Sequence, residues 1–339
     1  MKNKNKVPKL KTPVFANLDI TSSCNQKCIF CAVSPNRDYN FRKTEHFFRI
    51  IDELYNSGIF EMTLFGGEPL LHPEIEKICK YAYDSDLEVN IVTNGTLPDK
   101  CDKISRYLNT AGVSIHGFKK THDKIVNFRN SYERALESLK IFIENGVNTS
   151  VCYTLINQNY EEAPEFVRYI FENYEGVSGC VLDRFVPKGF GVKKRKKLEV
   201  GIEKINAMLD VLDSLSKEYK KGVTTGDGLP LCLIREDLRY IVQPCQAGVL
   251  FTSVTEDGDI KLCPASRTVI GNLFVSSLEE IWNNEWYTKY RSFEWLPKRC
   301  KECDLFNVCY AGCKVSRNVE PYSYDIFLEK YVEKYEEEV

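Results

Sequence analysis

Between Val14 and Val186 the chain exchanges one hydrophobic period for another. Over residues 14–21, Val14, Ala16, Leu18 and Ile20 fall on one side and Phe15, Asn17 and Asp19 on the other, the period of two expected of a strand with one apolar face. From Thr44 the spacing lengthens to that of a helix through Phe47, Phe48, Ile50, Ile51, Leu54 and Tyr55, and Gly58 ends it. The exchange recurs. Strands are predicted over 59–65, 87–93, 113–116, 148–155 and 177–186, and helices over 73–83, 98–108, 132–144 and 162–173. Six β/α repeats specify an α/β fold with a parallel sheet, which right-handed crossovers curl with its helices outside. In such folds the reactive groups gather at the carboxyl ends of the strands, so the loops that follow them carry the chemistry.

Past Val186 the pattern changes. Residues 187–197 include Lys193, Lys194, Arg195, Lys196 and Lys197, read as a mobile basic loop. A charge run of this kind is usually a solvated segment, and its sharper reading is a docking site for an acidic peptide. An amphipathic helix through Ile202, Ile205, Met208, Leu209, Leu212 and Leu215 follows and stops at Lys220-Lys221-Gly222. That stop sets the expected division: a basic tail over 1–13, a first unit over 14–221, a second over 222–328 and a charged tail over 329–339.

Composition narrows the classes. A chain of 339 residues with 43% hydrophobic and 28% charged residues is an ordinary globular protein, long enough for two units. A net charge of −2 and a pI near 6.2 provide no basic field for nucleic acid or an anionic membrane, and no apolar run is long enough to cross a bilayer. A cytoplasmic protein is expected. Its fourteen cysteines then point to metal or redox chemistry more readily than to disulfides.

Three of those cysteines, Cys24, Cys28 and Cys31, follow the first predicted strand. Zinc would want a closed set of four, and no further Cys or His occurs until His46; a disulfide framework is the other plain reading. Iron–sulfur cubanes are usually held by four thiolates, so a compact three leaves one iron open. The run Cys24-Asn25-Gln26-Lys27-Cys28-Ile29-Phe30-Cys31 resembles the CxxxCxxC signature of the radical S-adenosylmethionine (SAM) enzymes, in which an aromatic residue precedes the last cysteine. The resemblance implies a [4Fe–4S] cluster whose open iron binds SAM, and one-electron cleavage of SAM to a 5′-deoxyadenosyl radical that takes a hydrogen from the substrate. It also implies a partial (β/α)6, TIM-like barrel with the cofactors at its rim.

Later strand ends extend the resemblance. Gly66-Gly67-Glu68-Pro69 would alone be a plain turn, but it matches the family's GGEP loop, implied to hold the SAM amino group. Thr93-Asn94-Gly95 resembles a TNG motif and fits a simple turn equally well. Ser114-Ile115-His116-Gly117 stands where relatives carry Ser-Ile-Asp-Gly, which implies that Ser114 contacts SAM. His116 replaces the aspartate and reads as a rim histidine with a structural hydrogen bond. Arg129 and Arg134, after His122-Asp123, are further candidates for SAM contact.

A second cysteine system comprises Cys232, Cys245, Cys263, Cys300, Cys303, Cys309 and Cys313. Asp257-Gly258 reads as a hairpin turn that brings Cys245 and Cys263 together. With Ile270-Gly271-Asn272-Leu273 and Leu278-Glu279-Glu280-Ile281-Trp282, the spacing resembles the SPASM domain of many radical SAM enzymes, which implies one or two auxiliary [4Fe–4S] clusters. By that analogy Cys232, Cys245, Cys263 and Cys313 hold the first, and Cys300, Cys303 and Cys309 the second; a zinc ribbon is the plain alternative. No cysteine follows Cys313, so the second would have three thiolates, an open iron or a ligand such as Asp325, or would be absent. Cys79, Cys101, Cys152 and Cys180 lie on apolar faces and are read as core.

The expected activity is oxidation or cross-linking of a side chain in a ribosomally made peptide or protein, with flavodoxin or ferredoxin as reductant. A small-molecule dehydrogenase or epimerase, a cofactor-biosynthesis enzyme and a metal-stabilised binding or redox-sensing module are the alternatives. Too few residues precede Val14 for the separate leader-binding domain of many peptide maturases. Sulfatase-maturing relatives place an aspartate, the presumed base, after the cysteine equivalent to Cys263, where this chain has Pro264.

Overall fold

The computed structural model describes residues 9–33, 35–317, 319 and 322–329. Residues 1–8 of the basic tail, Glu320 and Pro321, and the charged tail from 330 lie outside the described residues. The first half is β1 (Phe15–Asp19), α1 (Thr44–Asn56), β2 (Glu61–Phe65), α2 (Ile75–Asp84), β3 (Glu88–Thr93), α3 (Pro98–Ser105), β4 (Thr110–Ser114), α4 (Lys119–Val126), α5 (Ser131–Glu144), β5 (Asn148–Leu155), α6 (Ala163–Asn173) and β6 (Val177–Arg184). The six strands pair in sequence order and in parallel, as β/α repeats require. Ala16 and Leu18 of β1 pack outward against helices, joining Ile50, Ile51, Phe142 and Phe166 in one continuous core. Each buried Leu, Ile or Phe among them contributes roughly 1.5–3 kcal/mol. The alternate residues, Asn17 and Asp19 among them, face the interior of the curled sheet.

β4 begins three residues earlier than its apolar run because Ala111 and Gly112, poor strand formers, are held by pairing to β3 and β5 on both sides. α4 was invisible in the pattern: its eight residues, KKTHDKIV, bury only His122, Ile125 and Val126. The basic stretch is not a mobile loop. It forms a 3-10 turn over Gly189–Lys194 and the short α7 (Arg195–Leu198). The Phe190 N–H donates to the Cys31 carbonyl at 3.0 Å, and Lys188 is buried, so this segment walls in the cysteine loop. Solvated charge and apolar anchoring coexist because Gly191 and Leu198 turn inward while the lysines between them turn out.

After α8 (Ile202–Tyr219), β7 (Gly222–Thr224) still pairs with β6. The cysteine-rich segment then joins the same sheet from its other end. β8 (Phe251–Val254) runs parallel to β1, and β9 (Asp259–Lys261) and β10 (Val269–Asn272) continue antiparallel, giving the order β10-β9-β8-β1-β2-β3-β4-β5-β6-β7. Gly258, at φ +78°, makes the predicted turn between β8 and β9. α9 (Leu278–Trp282) opens with a capping box between Ser277 and Glu280 and is followed by α10 (Glu285–Ser292).

Candidate active site

Because the parallel strands run the same way, the loops after β1 to β4 converge at one rim. Cys24, Cys28 and Cys31 line a single cavity there of about 180 Å³, together with Glu68, Asn94, Ser114 and His116. The Cys24 thiol is pushed up to about 12 and that of Cys28 well above its usual value, by burial first. For Cys28 the neighbouring Cys31 and Cys24 come next, so the three sulfurs act on one another in one place.

Two glycines set how closely the loops approach. The Gly67 N–H donates to the Thr21 carbonyl at 2.7 Å and the Glu68 N–H to that of Ser23 at 2.9 Å. A Cβ on Gly67 would stand 2.2 Å from the Ser23 oxygen; one on Gly66, whose φ is +138°, would stand 2.4 Å from that of Thr21. Replacing Gly67 with Ala is expected to force the two loops apart, costing roughly 1–3 kcal/mol as overpacking does, and to weaken SAM binding with it. Equilibrium dialysis with labelled SAM and a thermal melt measure the two effects.

Glu68 is buried, and its carboxylate ties the second loop to the third. One oxygen accepts from the Thr93 hydroxyl at 2.7 Å and the Leu70 N–H at 3.0 Å; the other accepts from the Asn94 N–H at 2.7 Å. Burial raises its pKa to about 7, partly offset by those donors and by Lys100. Three of about four lone pairs are taken, so one remains for a cationic ligand. Lys100 fixes the next turn by donating to the Leu70 and His72 carbonyls at 2.7 and 2.9 Å. The Asn94 amide donates to the Asn25 side chain at 2.9 Å, which locks the third loop to the cysteine loop.

A second brace was not legible in sequence. Gln26 donates to the Ser131 hydroxyl at 2.7 Å, and the same oxygen lies 3.0 Å from His122 Nε2. His122 Nδ1 accepts from the His116 N–H at 3.1 Å, which leaves the ring proton on Nε2 to donate to Ser131. His116 Nδ1 accepts from the Thr154 N–H at 3.1 Å, so its Nε2–H is the group left to face the cavity. Burial lowers both rings, His122 to about 4 and His116 well below the usual value, and both are neutral at pH 7. The structural reading of His116 accords with this geometry.

Other candidates are less central. Pro69 opens the buried turn after Glu68. Arg129 is exposed, and Arg134 points its guanidinium at the Thr96 carbonyl, 3.5 Å away; neither lines the cavity. Asp123 caps α5, accepting from the Asn130 and Tyr132 N–H groups. Cys79, Cys101 and Cys180 are core, whereas Cys152 is half-buried on the strand face it shares with Thr154, toward the barrel interior. In the second system the Leu231 N–H donates to Cys309 Sγ at 3.3 Å, which sets Cys232 beside Cys309. Asp325 is fully buried beside Cys313, whose N–H it accepts at 2.7 Å, and pairs with Arg184. Those bonds hold it away from the role of ligand to the Cys300 group.

A larger cavity of about 530 Å³ adjoins the first, sharing Val33, Pro35, Gly66 and Gly67. Its far wall is the β8–β9 turn, docked by the Ser22 N–H on Glu256 at 3.1 Å and by an Arg42–Asp257 ion pair. Asp19, at the end of β1, lies on its floor. Burial raises Asp19 to about 6 although Lys261 Nζ is 3.9 Å away, and one of its oxygens has no hydrogen-bond partner.

A cysteine triplet facing a cavity beside a braced glycine–glutamate loop is the arrangement expected of a radical SAM centre. Residues 18–170 match the radical SAM superfamily, and residues 245–304 match SPASM, an iron–sulfur cluster-binding domain. The chain belongs to that superfamily and is one of its enzymes, with SAM, a [4Fe–4S] cluster and auxiliary iron–sulfur as its cofactors. It is 24% identical over 322 residues to the PqqA peptide cyclase of Granulibacter bethesdensis, covering 90% of this chain and 83% of that one. It is 26% identical over 320 residues to the AdoMet-dependent heme synthase of Methanosarcina barkeri, covering 87% and 89%. Among solved structures, Streptococcus suis SuiB bound to S-adenosylmethionine superposes with a TM-score of 0.77 at 20% identity over 94% of this chain and 78% of that one. The residues fit the cluster: three thiols share one cavity and leave one coordination position for SAM.

Proposed function

We propose that this enzyme modifies a side chain of a peptide or protein, and that Cys24, Cys28 and Cys31 hold the SAM-cleaving cluster. SAM bound there supplies, on one-electron reduction, the 5′-deoxyadenosyl radical that removes a substrate hydrogen. Gly66, Gly67, Glu68, Asn94 and Ser114 shape the SAM site. Asp19, a carboxylate on the floor of the adjoining cavity, would receive the substrate proton in the place that Pro264 leaves without a carboxylate, and the electron that remains on the substrate radical would go to the oxidised auxiliary iron–sulfur. A flavodoxin or ferredoxin provides the electron. No helix among the described residues is long and apolar enough to cross a membrane; a cytoplasmic setting is proposed because fourteen cysteines, ten of them in iron–sulfur patterns, suit a reducing compartment.

The observation that carries the substrate class is the charge of the larger cavity. Asp19, Glu256, Asp257 and Asp259 line it against Lys261 and Arg267. Four carboxylates disfavour a polyanionic tetrapyrrole, the substrate type that the heme synthase relative brings to mind, whereas a peptide with neutral or basic side chains suits them. Anaerobic turnover with dithionite is the test. The expected result is 5′-deoxyadenosine formed together with loss of two hydrogens from a peptide, taken from a library of short Cys-, Gly- or aromatic-containing sequences. Conversion of an iron coproporphyrin with no peptide product would overturn the reading.

A further inference from the structure

The seven cysteines of the second system divide in the structure along a line that their order in the chain does not show. We infer that Cys232, Cys300, Cys303 and Cys309 hold one auxiliary cluster, and that Cys245, Cys263 and Cys313 hold the other, with Asp227 facing its fourth iron. The inference rests on the radical SAM and SPASM assignment and not on the peptide reading.

The first set is assembled by a single turn. Leu231–Leu233 is a 3-10 turn whose first N–H donates to Cys309 Sγ and whose last side chain packs, with Cys300, on the small core of Val249, Phe293 and Phe306. Cys232, in the middle, is exposed between those two anchors. Its thiol feels the charges of Cys309 and Cys303, and that of Cys300 feels Cys232, Cys309 and Cys303. Cys232 joins Cys300, Cys303 and Cys309 from the opposite direction along the sequence. Four thiolates then close this cluster, the usual complement.

The second set shares one packed core with Tyr290, Cys313 inside it and Cys245 and Cys263 against it, and the Tyr290 hydroxyl feels all three. Lys314 Nζ donates to the Cys245 carbonyl at 3.0 Å, which ties the residue after Cys313 to Cys245. Gly228, the residue after Asp227, lies directly against Cys245, where a Cβ would stand 2.6 Å from that of the cysteine, and the Asp227 carboxylate acts on both Cys263 and Cys313. Beside them Arg184 is buried, with 4% of its side chain exposed; one nitrogen pairs with Asp325, while Nε and Nη1 have no hydrogen-bond partner. Unpaired buried donors of a charged group are costly and call for acceptors. Sulfide and thiolate acceptors of a cluster held by Cys313 would meet that need, so the site fits the group. Asp325 is occupied by Arg184 and the Cys313 N–H, which leaves Asp227 as the carboxylate for the fourth iron.

The test uses full-length protein with Cys24, Cys28 and Cys31 replaced by Ala, reconstituted anaerobically with ⁵⁷Fe and followed by Mössbauer and EPR spectroscopy. In a background with Cys245→Ala and Cys263→Ala, adding Cys232→Ala is expected to convert the remaining cluster to a [3Fe–4S] form or to lose about four irons. In a background with Cys300→Ala and Cys303→Ala, adding Cys232→Ala is expected to change nothing. The reverse pattern, with the Cys245 cluster perturbed and the Cys300 cluster intact, would overturn the division. Cys232→Ser is the second variant: on an exposed one-turn segment it preserves the fold, and an oxygen ligand there alters the EPR signal of the Cys300 cluster alone. Asp227→Ala should speed oxidative loss of iron from the Cys245 cluster about tenfold or more; an unchanged rate removes Asp227 from the ligand set.

Discussion

Replacing Cys24, Cys28 and Cys31 together with Ala should bring reductive cleavage of SAM to background while leaving auxiliary iron in place. The three thiols serve one site, so single replacements act as a unit and the triple variant is the clean measurement. The loop does not depend on them for its shape. The Cys24 N–H donates to the Asn36 carbonyl, the Lys27 and Ile29 N–H groups to Val126 and Ile125, and the Gln26 side chain to Ser131. The sulfurs add only long contacts, the Gln26 N–H and the Asn94 amide donating to Cys24 Sγ at 3.4 and 3.8 Å and the Cys28 thiol to Gln26 at 3.4 Å, so the variant is expected to fold with near-normal stability. The assay is 5′-deoxyadenosine by chromatography after dithionite reduction, beside total iron. About eight irons per chain should remain, the content of two auxiliary cubanes. Undiminished cleavage would show that SAM is activated elsewhere, and loss of all iron would show that the auxiliary centres depend on the first.

Much of this arrangement was legible because it rests on local pattern. The strands and helices of the first half follow period, and the glycine–glutamate loop follows from a strand end plus two residues without side chains. What was hidden depends on partners distant in sequence. Gln26 and Ser131 are ordinary polar residues 105 positions apart, and only the fold makes them one brace. β8 lies alongside β1 although more than two hundred residues separate them, and nothing in Phe251–Val254 marks it as an extension of the first sheet. The basic stretch misled because its lysines outvote the inward Gly191 and Leu198 in any compositional reading. Cys232 is placed in the sequence by its position in a spacing pattern, and the bond from the adjacent Leu231 N–H to the Cys309 sulfur is visible only in the fold. Arg129 and Arg134 are candidates by proximity to a motif, but the turn between α4 and α5 holds Arg129, and α5 holds Arg134, away from the cavity wall.

Asp19→Asn should lower product formation roughly 10²- to 10⁴-fold, the range for removal of a positioned proton acceptor, while 5′-deoxyadenosine continues to form without product. A lesion in SAM binding would reduce both, so the ratio of the two products separates the roles. The pH profile gives a second readout. Burial lifts Asp19 to about 6 against the opposing pull of Lys261 and with reinforcement from Glu256, so the unprotonated acceptor is lost as pH falls through about 6. Product formation by the native enzyme should fall over that range, and that of the variant should not follow the same curve. Stability should move the other way. A carboxyl whose folded pKa is raised holds its proton more tightly in the folded state, so the fold is favoured below the usual value near 3.8 and loses that advantage as pH rises through about 6. Two units correspond to about 3 kcal/mol at neutral pH, held in a carboxylate with one unpaired buried oxygen. The neutral Asn, nearly the same shape, should therefore raise the melting temperature at pH 7 and leave it little changed at pH 4. A gain in stability with loss of coupled turnover is the signature of a group kept for chemistry. A variant that melts lower and turns over normally would assign Asp19 to the architecture of the cavity instead.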